Sequence, residues 1–420
     1  MFQLLYADEK GRMYEHAGYQ AVGRTGNIFT ELEDADTVVL PEGAGLVLIP
    51  GGIPVGVSKQ GNFGIVDKGP DNARIFAVGA LLPQGYTRTM VPAYRRADES
   101  PLPLFGYAAV GWKNGEIRVA AIQTDVDLKW NPVHYSTPEL DGLVESALTR
   151  FPNNRIIRQL GQCATQYSCF TAQNIFYGRW EGGIPVSPAC NAACLGCISL
   201  QPAECCPSPQ TRIDFAPSAD EIVELAVPHL NQGVDAIVSF GQGCEGEPSL
   251  AAPAVSEAIR QIRRHTQSGT INMNTNGGYT EGIRAVCTAG IDSLRVSTIS
   301  ALEPTYDAYY NPRGYKWSDV RASIAFARDN GVFVSLNLLT FPGLTDTPEE
   351  TEALVEFIRK MDINMVQIRN LNIDPDYLAQ KIVLGGQEAL GIRMFVDILK
   401  RELPNLSVGN YSQPVKRRNL

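Results

Sequence analysis

The stretch Ile184-Pro-Val-Ser-Pro-Ala-Cys190-Asn-Ala-Ala-Cys194-Leu-Gly-Cys197 decides how the rest of the chain is read. It sets Cys190, Cys194 and Cys197 in the spacing Cys-x3-Cys-x2-Cys. Three thiolates on one short loop suit three corners of a cubic iron–sulfur cluster, because soft thiolate sulfur is the preferred ligand of such clusters. The loop offers no further cysteine, so one iron would stay open to a different ligand. A structural zinc loop is the competing reading, but zinc sites usually pair two cysteine hooks and close every position.

Downstream of the loop the pattern alternates between strand and helix. Strands are predicted over Ile184–Ser187, Ala236–Phe240, Ile271–Asn274, Ser293–Thr298, Phe333–Leu339 and Met365–Ile368. Ser218-Ala-Asp-Glu221 has the form of a capping box and opens a helix to about Leu230. Further helices are predicted over Pro253–His265, Tyr279–Ala289, Ser318–Asp329 and Pro348–Lys360. Six such units imply right-handed crossovers and a parallel sheet, two units short of a full (β/α)8 barrel. Ligands of parallel sheets bind where the strands end. There the chain carries the glycine-rich turn Gly241-Gln-Gly-Cys-Glu-Gly-Glu-Pro248 and the polar run Asn274-Thr-Asn-Gly-Gly278. Arg295, Ser297 and Asn337 interrupt strands whose interior should be apolar, so each needs a partner. Arg369 and Asn370 close the sixth strand.

The cysteine spacing, followed by a strand and Gly246-Glu247-Pro248, resembles the radical S-adenosylmethionine (SAM) superfamily over roughly Ile184–Asn372. The resemblance implies an α/β fold with a partial (β/α)6 barrel and a [4Fe–4S] cluster on Cys190, Cys194 and Cys197. It implies SAM on the open iron, with its amine at Gly246, Glu247 and Pro248, and Asn274 as a wall for substrate or ribose. Arg295, Ser297 and Asn337 would contact SAM's carboxylate or ribose, with ordinary internal hydrogen bonding as the alternative. A reductant protein of flavodoxin or ferredoxin type would supply the electron for reductive cleavage of SAM. One departure stands out: the family usually has an aromatic before the third cysteine, and here it is Gly196. Its backbone could still meet adenine, with the packing supplied from elsewhere.

Around this core, residues 1–137 read as a β-rich domain. Its clearest hairpin turns at Lys113-Asn114-Gly115. Residues 138–183 read as a helical, aromatic connector carrying Cys163 and Cys169, residues 184–375 as the barrel, and residues 376–420 as a helical tail. Cys163, Cys169, Cys205 and Cys206 bracket the loop and could form an auxiliary iron–sulfur or single-metal site; free thiols are the alternative. Cys244 is a substrate-facing thiol or an incidental small residue, and Cys287 reads as core.

A formal net charge of −9 gives no global field for nucleic acid. No apolar run approaches the roughly 20 residues of a membrane helix, and the N-terminus lacks signal-peptide features. The nine cysteines then point to a reducing, cytoplasmic protein without disulfides. The leading expectation is an enzyme that abstracts hydrogen from a peptide or protein side chain, or from a small molecule. A glycyl-radical activating enzyme and a non-catalytic metal- or partner-binding protein are the alternatives.

Overall fold

The computed structural model describes residues 1–96, 100–102, 105–126, 128–200, 210–384 and 388–415. Among these, the N-terminal part forms an antiparallel sheet of fourteen strands, from β1 (Gln3–Ala7) to β14 (Glu116–Gln123). The expected hairpin joins β13 (Val110–Lys113) to β14, with Asn114 and Gly115 at φ values of 54° and 84°. Both central residues take the left-handed conformation that matches strand twist. Connector helices α1 (Leu140–Arg150), α2 (Arg155–Gln166) and α3 (Phe170–Tyr177) follow.

The second sheet is parallel throughout. Its strands lie in chain order: β15 (Glu181–Gly183), β16 (Ile237–Phe240), β17 (Thr270–Thr275), β18 (Ser293–Thr298), β19 (Phe333–Thr340), β20 (Met365–Asn370) and β21 (Ser407–Gly409). Helices α4 (Ala219–Gln232), α5 (Ala252–His265), α6 (Thr280–Ala289), α7 (Glu303–Tyr310), α8 (Trp317–Asp329), α9 (Pro348–Met361), α10 (Pro375–Lys381) and α11 (Ile392–Glu402) connect and flank them. The Ser218–Glu221 capping box is present at the start of α4. No described helix is long and apolar enough to cross a membrane.

Seven strands replace the six expected: the first is displaced and one is added at the end. The first strand is Glu181–Gly183, not Ile184–Ser187; the Ile184 amide makes a last bond to Ser239 O on β16 (2.9 Å), and from Pro185 the chain leaves the sheet to begin the cysteine loop. Glycine is needed here because a Cβ on Gly182 would lie 2.4 Å from Ile175, and one on Gly183 2.7 Å from Gln242. The seventh strand, Ser407–Gly409, extends the sheet into the segment read as a helical tail, and three residues are too few to show a period.

The sheet curls into a half-barrel, and a buried polar layer bridges its two edges. Glu181, on the first strand, accepts from Ser412 just beyond the last (2.7 Å) and from Ser239 on β16 (2.6 Å). Arg295, on the central strand, donates to Glu181 (3.0 Å), Asn274 (2.6 Å), Gln367 (2.9 Å) and Ser412 (2.5 Å). Burial opposes ionisation of Glu181, yet the Arg295 charge and hydrogen bonds from Ser239 and Ser412 hold its carboxyl below the usual range.

The β domain docks on the exits of β19 and β20. The Arg88 amide donates to Asn370 Oδ1 (2.9 Å), Asn370 Nδ2 donates to the Tyr86 carbonyl (3.0 Å), and the Leu102 amide donates to Asp374 (2.8 Å). The Arg88 guanidinium is fully buried over the Phe341 ring and donates to the Leu371 carbonyl. Gly26 and Gly343 meet backbone to backbone; a Cβ on Gly343 would lie 2.1 Å from the Gly26 nitrogen.

Candidate functional site

The cysteine loop leaves β15 and is held on both sides by backbone and buried side chains. On one side stands Glu245, four per cent exposed, in the loop after β16. One carboxylate oxygen accepts from the amides of Val186 (2.7 Å) and Ser187 (3.0 Å), the other from those of Gly241 (2.6 Å) and Gln242 (2.9 Å). Burial pushes its carboxyl up to about 7, against the pull of these four donors. The next two residues continue the join, as the Gly246 amide donates to Ser187 O (2.7 Å) and the Glu247 amide to Ala189 O (2.8 Å). This contact leaves no room at position 246, where a Cβ would sit 2.0 Å from the Ala189 carbonyl oxygen. Gly246→Ala is therefore expected to destabilise by about 1–3 kcal/mol, as overpacked sites do, and to lower iron uptake. Urea unfolding and iron assay of the variant check this.

Glu247 was expected at SAM's amine. Its carboxylate accepts from the Ser249 amide (3.0 Å), the Thr275 hydroxyl (2.5 Å) and the Asn276 amide (2.8 Å), so it fastens the exit of β16 to that of β17. Pro248 opens a short 3-10 turn leading into α5. Asn274 is half-buried and ties Arg295 to the Gly241 carbonyl.

On the other side stands α7, which the sequence reading passed over. The end of this helix offers unpaired carbonyls, and the loop uses them: Leu195 donates to Tyr309 O (3.0 Å) and Ala193 to Tyr310 O (3.0 Å). Asn311 terminates α7 in the left-handed conformation (φ 43°), and Arg313 then donates to Asn191 O (2.8 Å). Pro304 at the start and Asn311-Pro312 at the end were the available signals. Tyr309 also explains Gly196. A Cβ at 196 would lie 2.8 Å from the Tyr309 hydroxyl, and 3.7 Å from both Leu371 and the Asn372 carbonyl oxygen. A side chain at 196 would start against this hydroxyl from α7. Gly196→Tyr is expected to cut iron uptake, and pairing it with Tyr309→Ala to restore part of it; iron per folded chain reads both.

The polar strand residues separate into two sets. Arg295 and its partners form the buried layer described above. Ser297, Asn337 and Arg369 lie one step nearer the strand ends on the same face, and all three are half-buried. Among the described residues, Ser297 and Asn337 have no side-chain hydrogen bond, whereas Arg369 donates to Gln84 (3.0 Å). The mouth of the half-barrel thus presents uncommitted polar groups above a committed layer.

Of the auxiliary cysteines, the Cys169 amide donates to Cys163 O (3.0 Å), and the buried Cys163 thiol accepts from Gln159 (3.4 Å). Cys205 and Cys206 lie outside the described residues. Among the described residues no three His, Cys, Asp or Glu side chains converge closely enough to hold a single metal ion. A cluster interposes iron and sulfide between its ligands, so its thiolates need not converge in that way. The donor chemistry of the triplet fits such a group. Burial raises the Cys190 and Cys194 thiols above their usual range, and a metal centre is what holds buried cysteines as thiolates.

Residues 184–358 match the family model of the Radical SAM superfamily. The half-barrel with its cysteine loop is a radical SAM domain, and that domain makes the chain an enzyme. A match to this family implies a [4Fe–4S] cluster and SAM. No curated protein matches the chain. Among solved structures, similarity extends to HydG, a maturase of the [FeFe]-hydrogenase (TM-score 0.41, 14% identity, 65% of this chain and 63% of that one). It extends also to a radical SAM methyltransferase from Sphaerobacter thermophilus (0.41, 17%, 55% and 66%) and to Streptococcus suis SuiB bound to S-adenosylmethionine (0.39, 13%, 75% and 72%). The chain spans less than two thirds of the HydG and methyltransferase structures.

Proposed function

We propose that the chain holds a [4Fe–4S] cluster on Cys190, Cys194 and Cys197, binds SAM beside it, and uses reductive cleavage of SAM to take a hydrogen atom from a substrate. The observation that carries this is the placement of the triplet. Glu245, the Ser187–Gly246 and Ala189–Glu247 contacts and the end of α7 hold the loop that carries the three thiols against the exit of β16. Bound there, cluster and SAM would supply one-electron reduction and a 5′-deoxyadenosyl radical; the protein supplies position and exclusion of water. The Gly246 carbonyl accepts no hydrogen bond among the described residues and is the acceptor proposed for SAM's ammonium group. Ser297 and Asn337 are proposed for its carboxylate or ribose, and the backbone at Gly196 and Leu371–Asn372 for adenine. Arg295, committed to Glu181 and Ser412, is assigned to holding the barrel rather than to touching SAM.

The substrate class proposed is a peptide or protein side chain. In support, the β domain meets the exits of β19 and β20, and its strand β7 (Phe63–Ile65) pairs on one side only and is exposed throughout. A flavodoxin- or ferredoxin-type protein is the proposed electron donor.

Anaerobic reconstitution, iron and sulfide counting, and an assay for 5′-deoxyadenosine with SAM and dithionite test the reading. About four irons and four sulfides per chain, with deoxyadenosine formed, are expected. A chain that takes up no cluster, or whose cluster shows no change in EPR signal on adding SAM, overturns it.

A further inference from the structure

Arg212 touches the triplet from outside the loop. Its Nη2 lies 3.6 Å from Cys197 Sγ, and its Nε donates to Ser199 Oγ (3.1 Å). Ser199 in turn donates to the Glu245 carbonyl (3.0 Å), so the guanidinium is anchored to the residue that clamps the loop. The backbone presenting it is fixed at both ends: the Gln210 amide donates to Ile198 O (3.2 Å) and the Ile213 amide to Cys244 O (2.8 Å). Gly243 permits this stitching, because a Cβ there would lie 2.4 Å from Ile198 and 2.5 Å from Gln210. Among the described residues no carboxylate forms an ion pair with Arg212. The charge is half-buried, unneutralised among the described residues and directed at a cysteine sulfur.

We infer that Arg212 is a positioning residue that tunes the cluster, holding the Cys197 thiolate and stabilising the reduced state of the metal centre. The inference rests on the reading that the triplet carries the cluster. Reduction adds one negative charge to a centre already surrounded by thiolates. A cation that hydrogen-bonds to a ligand sulfur lowers the energy of the more negative state, and so raises the midpoint potential. Partial burial preserves the effect, since the interaction is less screened than at an open surface.

EPR-monitored redox titration of reconstituted wild type, Arg212→Gln, Arg212→Lys and Ser199→Ala tests this. Arg212→Gln removes the charge and is expected to bind wild-type amounts of iron and sulfide, yet to reduce at a more negative potential. Arg212→Lys keeps the charge without the fork and should fall between the two. Ser199→Ala frees the anchor and should shift the potential in the same direction by less. An Arg212→Gln cluster that titrates at the wild-type potential overturns the inference. Should that variant take up no iron, Arg212→Lys decides, because Ser199 also contacts Cys197 Sγ itself (3.7 Å): a downward shift in Arg212→Lys supports the role and an unchanged potential ends it. Failure of wild type to hold a cluster shows in the iron count before any potential is read, and removes the parent reading instead.

Discussion

A chain with Cys190→Ala, Cys194→Ala and Cys197→Ala is expected to keep its fold and secondary structure while losing its cluster and all SAM-dependent deoxyadenosine formation above background. The separation follows from what holds the loop. Its backbone is fixed by the Glu245 carboxylate, by the joins at Ser187 and Ala189, and by the Tyr309 and Tyr310 carbonyls. None of these contacts uses a cysteine sulfur. Each substitution removes one half-buried sulfur atom, a small change in packing beside the loss of a metal ligand. Circular dichroism and thermal melting should therefore stay close to those of the cluster-free wild type, while iron counting and the deoxyadenosine assay fall together. Iron persisting in the triple variant would lie on other cysteines, Cys163, Cys169 and Cys244 being among the described ones. Deoxyadenosine produced by the variant at the wild-type rate would sink the assignment of the triplet.

The second large effect is on stability. Arg295→Met should destabilise the protein by about 3–5 kcal/mol, the usual cost of stripping one partner from a buried ion pair. Side-chain exposure is 8% for Arg295 and 3% for Glu181, so the orphaned carboxylate could not turn to water. The pH dependence carries a sign. In wild type the Glu181 carboxyl sits below its ordinary range. Its stabilisation is therefore present above the unfolded-state pKa and is lost as pH falls through the folded value. Without Arg295, burial dominates and the carboxyl moves up, so protonation relieves the variant. The deficit relative to wild type should be larger at about pH 8 than at about pH 5, bracketing the range between an ordinary and a raised carboxyl. Urea unfolding at both values checks this, and adding Glu181→Gln should recover part of the loss at the higher pH. An equal deficit at both values would mean that Glu181 is not the group left unpaired.

Much of this was legible in the chain. The spacing of Cys190, Cys194 and Cys197 placed three soft ligands on one loop, because metal–ligand spacing within a loop is a local property. Alternating β and α periods from Ser218 to Ile368 dictated a parallel sheet, and Asn114-Gly115 dictated a hairpin, for the same reason: each is set by a few consecutive residues. Tertiary contacts alone decided the rest. Gly196 read as a departure from the family pattern until the fold set the hydroxyl of Tyr309, more than a hundred residues on, against it. Arg295 and Ser297 stood two apart on one strand and looked equivalent. The curl of the sheet brings Glu181 and Ser412 to the first and leaves the second uncommitted at the mouth. Glu247 stood out by its position after a strand, and only the fold shows that its carboxylate also fastens the exit of β17. Local sequence dictates which groups a loop or strand displays; burial and hydrogen bonding across the fold determine which of them remain free to meet a ligand.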